Sequence, residues 1–528
     1  MEGDSEKTIS RSIRRFFSGT ALSRVTGLLR TMTMSAVFGC HPALAAFLVA
    51  FRFSHLFRRL FGEGALHAAF TPLYESLRSD DKERGARFFR DLSSLLTIFL
   101  VLVTGILSLS LLALCRWGGF DPEQEQIMFL TALMLPSVVP ICLYGLNSGL
   151  LHCEKKYFIT SVAPVAFNLV WVLGAWALYG YDVVKAMSYL SGVVFLACIG
   201  QMLVTVLPVL TYLRNELGAS WFQWSICQSD VKRLLLPLGL GLIGVGAAQI
   251  NNLWDSIFAL VADSQGPAHL WYSLRIQHLP MGLFAVAMSA SILPPLSRAV
   301  QAGDNEQFER FLNFSLRQCI YWMLPCMGAV LVGGFVGTNL LYGRGEFVEW
   351  DVIQTTRCLW AYGLGILPLA LVQVLASSLY SLHDYRQPTR FAIGAMCANI
   401  LLNSIFVYGF GFGAVSVAYA TTITAWGNLF FLLRTLKEHR PSYHRSTLWY
   451  PVRRMGSCTV FAVFVTGFVG KVFFDDPSLK LLGFGAIGVV SRGFMAQATV
   501  FLVEGVVYGV AIITSAYFIG ILPKKRLK

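Results

Sequence analysis

The sequence predicts an all-α polytopic membrane protein of about 14 transmembrane helices, arranged as two parallel six-helix lobes plus a C-terminal helix pair. Three observations carry this expectation. Of 528 residues, 55% are hydrophobic and only 13% charged, and the mean hydropathy is +0.60, well outside the composition of soluble domains. Apolar windows of about 20 residues, the length that spans roughly 30 Å of hydrocarbon, recur along the whole chain with no soluble domain between them. Finally, sliding the chain on itself by 223 positions superposes Arg52, His55, Leu56, Leu60, Phe61, Pro72 and Leu73 on Arg275, His278, Leu279, Leu283, Phe284, Pro295 and Leu296 without a gap, the signature of an internal repeat.

The spans are expected near residues 18–39, 42–70, 92–115, 127–150, 159–179, 184–213, 234–262, 269–296, 311–336, 353–380, 390–410, 413–435, 453–474 and 495–522. The first follows a polar, basic stretch, Met1 to Arg15, and shows no small-residue cleavage pattern, so it is expected to be retained. The first, second and eighth are interrupted by charge and are expected to face a wet interior, because an ionisable group at membrane depth is costly. The third is strongly apolar from Leu95 to Leu114. The seventh carries Gly239, Gly241, Gly244 and Gly246, which suit either close packing or a hinge. A looser repeat match, at a shift of 231, pairs Leu151, His152, Lys155 and Asn168 with Leu382, His383, Arg386 and Asn399. Because an even number of spans separates the matched parts, the repeats run parallel, with a binding site expected between the lobes near the midplane. The expected divisions are 1–215, 216–440 and 441–528.

Loop charges set the orientation. Lys7, Arg11, Arg14 and Arg15, then Arg78, Lys82, Arg84, Arg87 and Arg90, then Arg434, Lys437, Arg440 and Arg445, and finally Lys524, Lys525, Arg526 and Lys528 fall on one side. The opposite connections, such as Asp121 to Glu125, are poor in Lys and Arg, so both termini are expected in the cytoplasm. The net charge of +13 is then positive-inside bias. Nucleic-acid binding is not expected, since the basic residues are dispersed with no aromatic-interleaved patch. The 11 cysteines form no C-x-x-C pair and no His-partnered set, so neither a metal centre nor a disulfide framework is expected.

Arg24, Arg30, Arg52, Arg58 and Arg59 lie inside the first two apolar segments, and Arg275 inside the eighth. Arginine cannot be neutralised by a pKa shift and offers a planar fork of donors suited to carboxylate or phosphate. The expected site is therefore a cationic cavity for an anionic ligand. Bland roles remain open: Arg24 could snorkel to headgroups, and Arg59 with Glu63 at i,i+4 could be a structural ion pair. Helical spacing puts Arg52, Arg59 and Glu63 within about 20° of one line and Arg58 about 100° from Arg59, so spacing alone selects Arg59. Arg24 and Arg30 are about 120° apart on an ideal helix; a bend at Gly27 would let both flank one cavity. Asn168, Asn399 and Asn403 are expected to be interhelical hydrogen-bonding groups.

Ser23-Arg-Val-Thr-Gly-Leu-Leu-Arg30 and Phe57-Arg-Arg-Leu-Phe-Gly-Glu-Gly64 resemble signatures of the MurJ/MviN lipid II flippase family, within the multidrug/oligosaccharidyl-lipid/polysaccharide exporter superfamily. The resemblance continues in Arg275 to Pro280, Ile292 to Ser297 and Tyr342 to Phe347, and covers essentially the full chain. It implies a bacterial inner-membrane transporter that moves the undecaprenyl-diphosphate-linked disaccharide pentapeptide from the cytoplasmic to the outer leaflet for peptidoglycan synthesis, among membrane lipids and beside cell-wall synthesis proteins. It also implies that Arg24, Arg30, Arg58 and Arg275 hold the diphosphate; Arg58 is preferred to Arg59 on the resemblance alone. The last two helices would offer a groove for the lipid tail. Three acids of the family pattern are replaced, by Thr31, Ala45 and Leu274, which makes the expected cavity more cationic and leaves Glu63 and Asp255 as candidate counter-charges.

No loop exceeds about 25 residues and no phosphate-cradling glycine loop precedes a lysine, so an enzyme is not expected, nor a cofactor. Alternatives within transport are a polysaccharide-lipid flippase or a drug/cation antiporter of the same superfamily, although a cationic drug would call for acids. A non-transporting cell-wall scaffold is the alternative outside transport.

Overall fold

The computed structural model describes residues 6–58, 65–218, 229–439, 446–471 and 494–521. Among the described residues regular structure is helical throughout, with no strand. The chain forms two compact units, Met1–Leu253 and Trp254–Lys528.

The first unit contains α1 (Glu6–Phe38), α2 (Pro42–Arg58), α3 (Ala65–Asp80), α4 (Lys82–Trp117), α5 (Pro122–Met134), α6 (Val138–Cys153), α7 (Tyr157–Ala177), α8 (Val183–Leu217) and most of α9 (Ser229–Ala262). Asp81 and Asp182 start α4 and α8 by accepting from the backbone N–H of Glu83 and Lys185, the usual service of an N-cap carboxylate. Along α4 the buried stripe is Leu92, Leu96, Leu100, Thr104 and Ser108, whereas Leu102, Ile106 and Leu109 are exposed. Toward the end of the helix the hydroxyls of Thr104 and Ser108 turn inward while Leu102, Ile106 and Leu109 face outward, and Ser108 Oγ donates to the Ala132 carbonyl of α5 at 3.0 Å. This is the pattern of a lipid-facing helix, where small polar groups join helices because hydrocarbon offers them no partner.

The second unit contains the end of α9, then α10 (Gly266–Pro280), α11 (Val286–Gln301), α12 (Asn305–Tyr342), α13 (Glu349–Gly363), α14 (Ile366–Ser381), α15 (Arg386–Ser404), α16 (Val415–His439), α17 (Ser446–Val469) and α18 (Phe494–Phe518). Its main core joins α11, α12, α14 and α16 through fully buried Leu296, Leu312, Leu316, Leu375 and Leu436. The C-terminal pair α17 and α18 packs on α12. At Gly328 a Cβ would come within 2.5 Å of Thr459 Cγ2, so only glycine admits α17 this closely.

Ten helical spans among the described residues are long and apolar enough to cross a membrane, against the fourteen expected. The first expected span, α1, is polar around Arg24 and Arg30 and is not among them. The eighth comprises α10 and α11, of 15 and 16 residues, joined by a five-residue π segment, and part of the second lies outside the described residues. The seventh is α9, whose central side chains lie outside the described ones.

A five-residue π segment, Met281–Ala285, lies between α10 and α11; at a shift of 223 positions its counterpart is residues 58–62, most of which lie outside the described residues. The turns after α6 and α14 contain Lys155 at φ 57° and His383 at φ 59°. In each, a backbone N–H reaches back to close the helix, Lys156 to Leu151 O at 2.8 Å and Asp384 to Leu379 O at 3.0 Å, a Schellman-type stop. These turns correspond at a shift of 228, so pairing Leu151, His152 and Lys155 with Leu382, His383 and Arg386 was out of register by three residues.

Candidate functional site

The arginines of the first unit sit on α1 and α2. Helix α1 runs unbroken through Gly27. Arg24 is exposed, as are Val25 and Leu29. Arg30 is half-buried against α7, with its Cζ 4.8 Å from the ring centre of Trp171 and 5.4 Å from that of Phe167. Trp171 is fully buried, and Phe47 and Phe51 meet it edge-on at 6.0 and 5.1 Å. Its indole N–H donates to Met34 Sδ at 3.1 Å. Arg30 therefore lies on an aromatic platform fixed from three helices. Such a contact stabilises a desolvated cation by about 1–2 kcal/mol.

Arg52 is half-buried on α2 and donates from Nη1 to the carbonyl of Asn252 on α9 at 2.9 Å. Arg58 ends the described part of α2. Arg59 and Glu63 lie outside the described residues.

In the second unit, Arg275 is half-buried on α10 and its Cζ lies 4.4 Å from the ring centre of Trp271, one turn earlier on the same helix. The neighbouring Tyr272 ring meets Tyr342 at 5.0 Å and Phe347 at 5.3 Å, and the Tyr342 hydroxyl donates to the Tyr272 carbonyl at 3.4 Å. The Tyr342 to Phe347 motif thus clamps the backbone beside Arg275. Gln277, also buried, donates to the Tyr362 carbonyl at 3.0 Å.

The three positions where acids were expected have other work. Thr31 is buried and donates to Gly27 O at 3.0 Å. Ala45 is buried completely, and Leu274 packs on the cluster of Phe258, Leu270 and Tyr362. Asp255 is 4% exposed and is tied up locally: Asn403 Nδ2 donates to it at 3.0 Å and Thr421 Oγ1 at 3.3 Å. With its amide nitrogen facing the carboxylate, Asn399 donates to it at 2.8 Å. In the first unit Asn168 donates to Ser23 O and Thr26 Oγ1 of α1 at 3.2 and 3.0 Å. The asparagines are interhelical ties in both units, as their residue type suggested. The carboxylate, amide and hydroxyl oxygens around Asp255 are of the kind hard cations take, and the amides and hydroxyl already satisfy that carboxylate.

At the basic end of the first unit, Arg78 binds Glu154 at 3.0 Å and Glu75 at 3.8 Å. Tyr74 donates to Glu154 at 3.3 Å and shares a 2.7 Å hydrogen bond with Tyr212. Burial, with Tyr212 and Glu154 adding to it, pushes the Tyr74 hydroxyl well above its ordinary pKa.

Two site features escaped the sequence reading, Trp171 and Trp271. The second was open to it, since residues four apart on a helix are neighbours. Trp171 is 141 positions from Arg30, and no local pattern connects them.

The sequence model of a family described as lipid II flippase MurJ matches residues 34–476. A protein of Chlamydia muridarum (strain MoPn / Nigg) named probable lipid II flippase MurJ is 33% identical over 469 residues, covering 88% of this chain and 86% of the relative. A solved structure titled lipid II flippase MurJ, inward closed conformation, has a TM-score of 0.70 at 22% identity and covers 94% of this chain and 99% of that one. An inward-facing multidrug resistance MATE family transporter of the MOP superfamily shares the fold with a TM-score of 0.64 at 13% identity, covering 79% of this chain and 94% of that one. A match across most of the chain, from Met34 inward of the arginine-bearing α1 to beyond α17, places this protein in the lipid II flippase MurJ family.

Proposed function

We propose that this protein is a flippase that carries lipid II, the undecaprenyl-diphosphate-linked disaccharide pentapeptide, from the cytoplasmic to the outer leaflet of the bacterial inner membrane, by alternating access and without covalent chemistry. The observation that carries the reading is half-buried arginine in a member of this family: Arg30, Arg52 and Arg275 are seated on rings or a carbonyl. A guanidinium so placed stays charged and can take two phosphate oxygens side by side. In this account Arg24, Arg30, Arg58 and Arg275 contact the diphosphate and Arg52 supports them, with Arg59 and Glu63 as neighbours in the same motif. The prenyl tail stays in lipid throughout. The distribution of Lys and Arg favours cytoplasmic termini.

Since the fold is shared with a multidrug transporter, a drug antiporter is the competing reading, and the positive charge of the candidate-site arginines argues against it. Depletion separates the two. Loss of a lipid II flippase leaves the precursor in the inner leaflet, shielded from a membrane-impermeant enzyme added outside. A precursor that remains fully accessible outside after depletion, with drug efflux lost instead, overturns the flippase reading.

A further inference from the structure

Helices α4, α6 and α8 of the first unit enclose a cavity of about 530 Å³, within the range of small-molecule sites, roughly 300–1,000 Å³. Val101, Gly105 and Leu109 of α4, Pro140 of α6, and Phe195 and Met202 of α8 line it. Two hydroxyls in the wall already donate, Thr104 Oγ1 to the Leu100 carbonyl at 2.7 Å and Ser108 Oγ to the Ala132 carbonyl at 3.0 Å. The lining therefore offers hydrocarbon and spent donors, which suit an apolar occupant. Gly105 leaves room for it, since a Cβ added there would meet no atom within 4 Å.

Two features select that occupant. The cavity opens on the face these helices turn to lipid, because Leu109 is itself 70% exposed and Leu102, Ile106, Leu196 and Leu203 are exposed around it. It also lies at the middle of each span. Its lining falls near the centre of the charge-free run 92–115, of the α5–α6 span Pro122–Cys153 and of α8. Phospholipid tails are confined to one leaflet, about 15 Å of hydrocarbon, and only their ends reach this depth. A prenyl chain several times longer than a leaflet has to cross or fold there. We propose that the cavity is a docking groove for the prenyl chain of the lipid-linked substrate. The inference rests on the reading of that substrate as lipid II. A groove at the midplane holds the chain whether the diphosphate is in the inner or the outer leaflet, so the tail keeps its seat, open to lipid, while the headgroup crosses.

The test irradiates full-length protein in nanodiscs with undecaprenyl diphosphate carrying a diazirine midway along its chain, and maps the labelled residues by mass spectrometry. Labels are expected on the lining of α4, α6 and α8, and excess unlabelled undecaprenyl diphosphate should remove them. Gly105→Phe, which fills the cavity, is expected to cut this labelling about tenfold, the worth of a couple of buried methylenes. Met202→Trp, which narrows it from α8, should act in the same direction, whereas Gly105→Ala should leave the labelling in place. A phosphatidylglycerol probe with its diazirine at the end of an acyl chain should label the lining weakly. Equal labelling by that probe, undisplaced by undecaprenyl diphosphate, makes the groove an ordinary lipid surface and overturns the proposal. So does prenyl labelling that misses the lining, or that Gly105→Phe and Met202→Trp both leave unchanged. Any of these results in a protein that translocates lipid II in proteoliposomes leaves the flippase reading standing. Wild-type protein that moves no lipid II overturns that reading and the inference with it.

Discussion

Arg30 and Arg275 are both seated on tryptophan, but by different routes. Arg30 reaches across to α7 and rests on a ring walled in by side chains of α1, α2 and α7. Arg275 rests on Trp271 of its own helix, a ring that is only half-buried. The first arrangement makes the arginine's orientation a property of the whole unit's packing, and the second makes it a property of one helical turn. Backbone constraint is distributed the opposite way: the turn carrying Arg275 is fastened by the Tyr272, Tyr342 and Phe347 cluster and leads directly into the π segment Met281–Ala285, whereas α1 is a single uninterrupted helix. Departures of this kind from α geometry are common where a helix serves function.

The sharpest way to break the comparison is to remove each ring. Trp171→Ala empties a fully enclosed site and should cost about 3–5 kcal/mol, seen as a large drop in thermal unfolding temperature in detergent together with loss of flipping. Trp271→Ala should cost about 1–2 kcal/mol, leaving a folded protein with impaired flipping. Equal destabilisation by the two substitutions would contradict the distinction between a tertiary and a local platform.

Lysine substitution sharpens it further by keeping charge while discarding the flat face and planar fork. Arg275→Lys is expected to lose more than tenfold in flipping rate, and Arg30→Lys less, because several rings still surround a cation at position 30. Wild-type rates in both variants would remove any geometric role for the guanidinium.

Smaller effects are expected away from the rings. Tyr342→Phe deletes one hydrogen bond to the Tyr272 carbonyl and should cost about 1 kcal/mol, with a modest fall in rate because the backbone beside Arg275 loosens. Glu154→Gln weakens the tie to Arg78 and Tyr74 at the basic end of the first unit and should cost about 1 kcal/mol or less, with the rate unchanged. A rate effect larger for Glu154→Gln than for Tyr342→Phe would move the functional weight to the first unit's basic end.

Much of this was legible in the chain because membranes impose simple rules. Helices such as α4 follow from unbroken apolar length, and the repeat was visible where Arg52 and Arg275 stand in matching positions. What sequence could not supply was anything set by distant packing. Trp171 lies too far from Arg30 along the chain for periodicity to pair them, and nothing local to Gly27 shows that Asn168 of α7 lies 3.6 Å from where its Cβ would be. The three-residue slip in the second repeat match has a similar origin: a His in each segment aligned by identity, while the left-handed turn is set by backbone hydrogen bonds at Lys155 and His383. The replaced acids at Thr31, Ala45 and Leu274 read as missing counter-charges in sequence and as bonding and packing groups in three dimensions.

The central claim, that half-buried arginines carry the lipid diphosphate, is tested most directly by charge reversal in proteoliposomes loaded with lipid II. Arg30→Glu and Arg275→Glu proteins, reconstituted at equal density, are compared with wild type for the rate at which lipid II becomes accessible in the opposite leaflet. Each reversal turns a bidentate attraction into repulsion, so flipping should fall to the protein-free background in both. Translocation at the wild-type rate in both folded variants would contradict the account.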